Sequence, residues 1–173
     1  TDPRDYGRHG THVTGIAVGG NASGTHIGVS PGATLYAGAA LNQDCNTKCS
    51  GTVAQLLAGM QWAVERNVDV ISLSIGGTEE NNDYIDRTVD AVRNAEAAGT
   101  VVVAAAGNSG SGNTTSPGNV YDAISVGATT GDDIVADFSS SASVRADAWD
   151  NQPADWPDRY TVPTVVAPGV NIK

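Results

Sequence analysis

Residues 8–15 read RHGTHVTG and place two imidazoles, His9 and His12, three positions apart among glycines, threonines and short apolar residues. Three kinds of chemistry suit that spacing. Positions i and i+3 share a helix face, so the pair has the geometry of two metal ligands, although the segment offers no third. Alternatively, His9 opens a helix running to about Val18. A histidine in a first turn sits near the positive end of the helix dipole, which disfavours its protonated form and suits a general base. The third reading is a histidine that caps a turn.

Two further segments could carry chemistry. In VVVAAAGNSG an all-apolar run ends at Gly107 and Asn108. An Asn after a glycine is usually a turn residue; its functional reading is a carboxamide donor aimed at developing negative charge. VISLSIGG ends in Ser74, Ile75 and Gly76, whose backbone N–H and C=O groups can pair with an extended peptide as an added strand. The two cysteines, Cys45 and Cys49, lie close together in DCNTKC. They are expected to close a small loop by a disulfide in an oxidising compartment, with two free thiols as the alternative.

The elements that must position these residues alternate. ATLYAGAAL (33–41) is a short apolar run between Pro31-Gly32 and a polar stretch, and is expected to form a strand. Val53, Leu56, Leu57, Met60 and Val64 recur at helical spacing, and Thr52 with Gln55 makes a capping box. VDVISLSI (68–75) is strand-like. A second helix is expected from about Asp83 to Ala98, with Ile85, Val89 and Val92 on one face and Gly99 as its C-cap glycine. TVVVAAA (100–106), DAISVGAT (122–129) and PTVVAPG (163–169) read as further strands, the first apolar on both faces as in a central parallel strand. Strands alternating with crossover helices predict an α/β fold with a mostly parallel sheet. In such sheets ligand sites collect beyond the carboxyl ends of the strands, where Ser74–Gly76 and Asn108 fall. Residues 141–162 lack periodicity and are expected to be a long surface loop, with Trp149 and Trp156 anchoring it to the body.

At 173 residues the chain is expected to be one domain with a real core. Nineteen acids, fifteen of them Asp, face seven Arg and two Lys, for a net charge of −10. That balance argues against a nucleic-acid partner, and the scarcity of lysine suggests adaptation to high salt, where a short Debye length screens acidic repulsion. No apolar run reaches the length of a membrane-spanning helix, so no membrane partner is expected.

In the order RHGTHVTG, VISLSIGG, VVVAAAGNSG, SPGNVYDAISVGATT, DFSS and VVAPGVNI, these segments resemble the subtilisin-like serine peptidases, over nearly the whole chain except 141–162. The resemblance implies a three-layer fold, a mostly parallel sheet flanked by helices, incomplete at both ends. It implies a secreted endopeptidase acting on polypeptide substrates by Asp-His-Ser catalysis. Carried over by position, His9 is the catalytic base and Asn108 the oxyanion-hole donor. Ser74, Ile75 and Gly76 form the rail and wall of the primary specificity pocket. Gly51 and Val53 line more distant subsites. Ala105, Ala106 and Gly107 floor the pocket, their small size leaving room for a large apolar side chain. Asp5 resembles a substrate-side residue, His12 a structural residue packed beneath the catalytic helix, and Ser116–Pro117 a candidate cis bond.

The family also requires an Asp in a D-[ST]-G context before the histidine and a nucleophile in G-T-S after it. Neither segment occurs in the 173 residues. The expectation is therefore a partial catalytic domain, inactive alone, whose sheet is completed by missing segments or a second copy. A non-catalytic peptide-binding pseudo-enzyme that keeps the groove is the alternative. Calcium is a possible cofactor of a longer enzyme: the loop GGNASGTHIGV matches a family calcium loop, but Ala22 stands at the position of a ligand Asn.

Overall fold

The computed structural model describes residues 5, 7–22, 24–41, 49–77 and 86–172. The chain divides into two compact units, Thr1–Arg66 and Asn67–Lys173.

The first unit holds two helices. Helix α1 spans His9–Val18 and helix α2 spans Val53–Val64. The N-cap of α1 is Arg8, in the left-handed region with no side-chain capping bond. Asp5 supplies the missing acceptor: its Oδ2 accepts from the Thr11 backbone N–H at 2.7 Å and its Oδ1 from that of Gly7 at 3.2 Å. Past the other end, the chain turns back so that the N–H groups of Val29 and Ser30 donate to the carbonyls of Ile16 and Ala17. α2 starts with the expected capping box: the Gln55 side chain accepts from the Thr52 N–H at 2.8 Å while Thr52 Oγ1 accepts from the Gln55 N–H. Leu56, Met60 and Ala63 are its buried face.

The run 33–41, expected as a strand, is not one. It lies along α2, with Gly38 beside Trp62, Ala40 beside Gly59 and Leu41 beside Gly51. An apolar run becomes a strand only by finding a backbone partner, and among the described residues no named strand precedes Val70. Leu35 and Tyr36 stay about half exposed, Tyr36 edge-on to the Trp62 ring.

The second unit is an α/β layer, as expected. Strands β1 (Val70–Leu73), β2 (Val101–Ala105), β3 (Ile124–Thr129) and β6 (Val165–Pro168) form one parallel sheet in the order β1-β2-β3-β6. Helix α3 (Asp86–Ala97) lies between β1 and β2 in sequence and packs on β2 through Thr88, Val89, Val92 and Ala95, all buried. The residues expected at its start, 83–85, lie outside the described ones. Its end follows the Schellman pattern: the Gly99 N–H donates to the Glu96 carbonyl and that of Thr100 to Ala95. Gly99 has φ +89°, which only glycine adopts without a steric cost.

The stretch 141–162 departs from the expected surface loop. Ala142–Arg145 (β4) and Arg159–Val162 (β5) pair antiparallel, with a 3₁₀ turn at Ala146–Ala148 between them. Short strands at the two ends of a long aperiodic stretch leave little trace in the sequence. The tryptophans do anchor it. Trp149 and Trp156 are buried, with rings 5.6 Å apart and edge-on, and Tyr160 packs against Trp156. Trp149 Nε1 donates to Tyr160 Oη, which donates in turn to the Asn119 carbonyl; Trp156 Nε1 donates to Asp122. From α3, Arg93 bridges to Asp122 and Asp155 at 3.3 and 3.2 Å, and the Asp155 hydrogen bond raises the Arg93 pKa.

Candidate functional site

In the first unit, His9 is the first residue of α1 and its side chain is exposed. The turn that presents it is held by Asp5, whose carboxyl is kept below its ordinary value chiefly by the Thr11 hydroxyl, then by the Thr11 backbone N–H. His12, expected to be packed beneath the helix, is exposed instead. Residues 9–12 are all exposed, and from Val13 on the residues of α1 are at most half-buried. Among the described residues, no group of three or more His, Cys, Asp or Glu comes together as a metal site. Gly51 is exposed just before the α2 capping box, and Val53 is half-buried as the first residue of that helix. Cys49 is disulfide-bonded; Cys45, its expected partner, lies outside the described residues.

In the second unit, β1 and β2 are adjacent and parallel, with Leu73 opposite Ala104. The segments that follow them therefore emerge at the same end of the sheet. Ser74, Ile75 and Gly76 extend past β1, and their backbone groups make no hydrogen bond to any described residue; pairing resumes at Gly77, which exchanges bonds with Ser116 at 3.0 and 3.1 Å. An extended segment with open N–H and C=O groups can accept a further strand.

Ala105 ends β2 half-buried, Ala106 is buried with its N–H bonded to the Val126 carbonyl, and Gly107 turns the chain at φ +114°. Asn108 follows with its side chain exposed and unbonded to any described group. Its carboxamide is thus free to donate, which suits an oxyanion contact.

Two neighbours of this segment carried no role in the sequence. Thr115 donates from Oγ1 to the Ala105 carbonyl at 3.3 Å. A Cβ at Gly107 would fall 2.7 Å from Thr115 Cγ2, and one at Gly76 only 3.1 Å from Thr115 Cβ. Thr115 therefore stands against both Gly76 and Gly107, and the space expected beside Ala105–Gly107 is partly filled. The other neighbour is Ser140, buried, whose N–H donates to the Gly107 carbonyl at 3.0 Å. Its signal was the serine run of DFSS, but nothing in the spacing ties residue 140 to residue 107. The peptide bond Ser116–Pro117 is cis, as expected; Val162–Pro163 is cis as well.

A family model described as Peptidase S8, Subtilase family, matches residues 1–173. Serine protease AprX of Bacillus subtilis (strain 168) is 36% identical over 194 residues, covering 99% of this chain and 40% of that protein. Subtilisin E of the same organism is 38% identical over 148 residues, 83% of this chain and 37% of its own. The chain thus spans less than half the length of these relatives. Among solved structures, the patellamide maturation protease PatA superposes with a TM-score of 0.64 at 26% identity, over 76% of this chain and 47% of its own. The prenylagaramide maturation protease PagA superposes at 0.63 and 21% identity, over 76% and 46%, a likeness of fold alone. With the family model matching every residue and relatives of 36% and 38% identity across most of its length, the chain belongs to the subtilase family of serine peptidases.

Proposed function

We propose that these residues form part of the catalytic domain of a subtilisin-type endopeptidase, with His9 as general base and Asn108 as oxyanion donor. The observation that carries the reading is the end of the sheet beyond β1 and β2. There a backbone segment unpaired among the described residues, Ser74–Gly76, and an exposed carboxamide that bonds no described group, Asn108, leave neighbouring strands in the same direction. A peptide paired to the first would be bound by main-chain hydrogen bonds and so with little regard to its side chains. The second would stabilise the negative charge that develops on its carbonyl oxygen. His9 would take the proton of a serine nucleophile and an Asp would orient it. The serine and that Asp are supplied from outside the 173 residues, since no D-[ST]-G or G-T-S segment occurs within them.

The chain alone is therefore expected to be inactive and to need those segments to complete both triad and sheet. The disulfide at Cys49 and the acidic balance support a secreted, salt-adapted enzyme. No helix among the described residues is long and apolar enough to cross a membrane.

The test is hydrolysis of a chromogenic peptide by the 173-residue chain and by the full reading frame, each with and without His9→Ala. Turnover by the full-length protein alone, lost in the variant, is expected. Turnover by the short chain that is lost with His9→Ala would refute the need for outside segments. A full-length protein that binds the peptide without cleaving it would make this a binding module.

A further inference from the structure

The loop that carries Asn108 is stitched to residues 138–141. The N–H of Gly110 donates to the Phe138 carbonyl at 2.9 Å and that of Gly112 to the Ser141 carbonyl at 2.7 Å. One residue of that segment touches both sides of Asn108. The Ser140 N–H donates to the carbonyl of Gly107 at 3.0 Å, and Ser140 Oγ accepts from the N–H of Ser109 at 3.0 Å. The Gly107 carbonyl lies in the peptide plane before the Asn108 Cα and the Ser109 N–H in the plane after it. Holding both planes sets φ and ψ of Asn108, and with them the direction of its Cα–Cβ bond. Ser140 is itself fully buried, with a relative exposure of 0%. The space around its hydroxyl is also tight, since a Cβ at Gly107 would fall 2.9 Å from Ser140 Oγ.

From this bracket we infer that Ser140 is the positioning residue of the oxyanion donor, acting on the reaction only through Asn108. The inference rests on the reading of Asn108 proposed above. The physical reason is that a hydrogen-bond donor stabilises a transition state in proportion to how well it is aimed beforehand, and a misplacement of about 1 Å can cost on the order of a hundredfold in rate. The Asn108 side chain is exposed and makes no bond to any described residue, so the direction of its Cα–Cβ bond, set by the backbone, is what the described structure fixes of its aim. Among the described residues, Ser140 is the one that holds both adjoining planes.

The test is a double-mutant cycle in the full-length enzyme, with kcat and KM measured separately. Ser140→Ala is expected to lower kcat by about tenfold or more with KM within about twofold. In an Asn108→Ala background the same change is expected to cost less than about twofold. Ser140→Cys, whose larger sulfur is a weaker acceptor, is expected to follow Ser140→Ala. Equal losses in both backgrounds, or no loss in either, would overturn the inference. Should Asn108→Ala itself leave kcat unchanged, the oxyanion reading fails and Ser140 loses its purpose with it. Amide exchange supplies a readout independent of turnover. The Ser109 N–H is expected to exchange faster in Ser140→Ala than in the parent, with the core strands unchanged. An unaltered Ser109 rate would show that the hydroxyl does not hold the loop.

Discussion

At the scale of single residues, the chain depends on side chains that are either unusually free or unusually held. The Asn108 side chain bonds no described group, so in its proposed role its removal should cost chemistry and little else. In subtilisin, a relative of this chain, losing the oxyanion-hole Asn costs about 2.7–4 kcal/mol in turnover, a magnitude taken from that relative. Asn108→Ala in the full-length enzyme is accordingly expected to lower kcat by about a hundredfold or more with KM little changed. A raised KM at constant kcat would instead assign Asn108 to ground-state binding. Asp5 is a held residue. The Thr11 hydroxyl, its N–H and the Gly7 N–H favour the carboxylate, so the folded-state pKa lies below the ordinary 3.8. A depressed carboxyl pKa means the capping contribution is present above the unfolded value and is lost as pH falls through the folded one. The Asp5 carboxyl should therefore titrate below 3.8 by NMR and move up in Thr11→Val. No upward movement would assign the depression to the backbone bonds alone.

At the scale of elements, local chemistry sets where the helices begin and end. The capping box of α2 satisfies two backbone N–H groups that would otherwise lack partners. Thr52→Ala removes one of these bonds and is expected to lower stability by about 1 kcal/mol, read as a reduced midpoint in urea. An unchanged midpoint would mean that water satisfies the freed Gln55 N–H equally well. These starts and stops were legible from the residues: Thr52 and Gln55 three apart, Val89 and Val92 on one face, Gly99 past the last turn of α3. The four strands of the parallel sheet were legible too, as short runs rich in β-branched and small apolar residues, although β6 is exposed along its whole length. The run 33–41 shows where that rule ends, since it describes a side-chain pattern and a strand also needs a backbone to pair with.

At the scale of the whole molecule, the first and second units are each compact, and the hairpin of the second is fastened by aromatic side chains. Trp156 is 5% exposed, packs against the rings of Trp149, Tyr121 and Tyr160, and donates to Asp122. Trp156→Ala is expected to cost about 3–5 kcal/mol and to lower the melting temperature of the chain. A loss below about 1 kcal/mol would mean that the hairpin is not coupled to the sheet. Over the same chain, two kinds of information separate. Amino-acid order by itself determined the α/β class, the capping box of α2, the glycine that ends α3 and the segments that mark the family. Each of those is written in residues a few positions apart, and the resemblance those segments carry implied the cis bond before Pro117. Only the tertiary structure decided that 141–162 is a pinned hairpin, that Thr115 stands against both Gly76 and Gly107, and that Ser140 brackets Asn108. Those contacts join residues up to about forty positions apart. No periodicity carries over such distances, and the pairing is settled by how strands and loops pack once the sheet has formed.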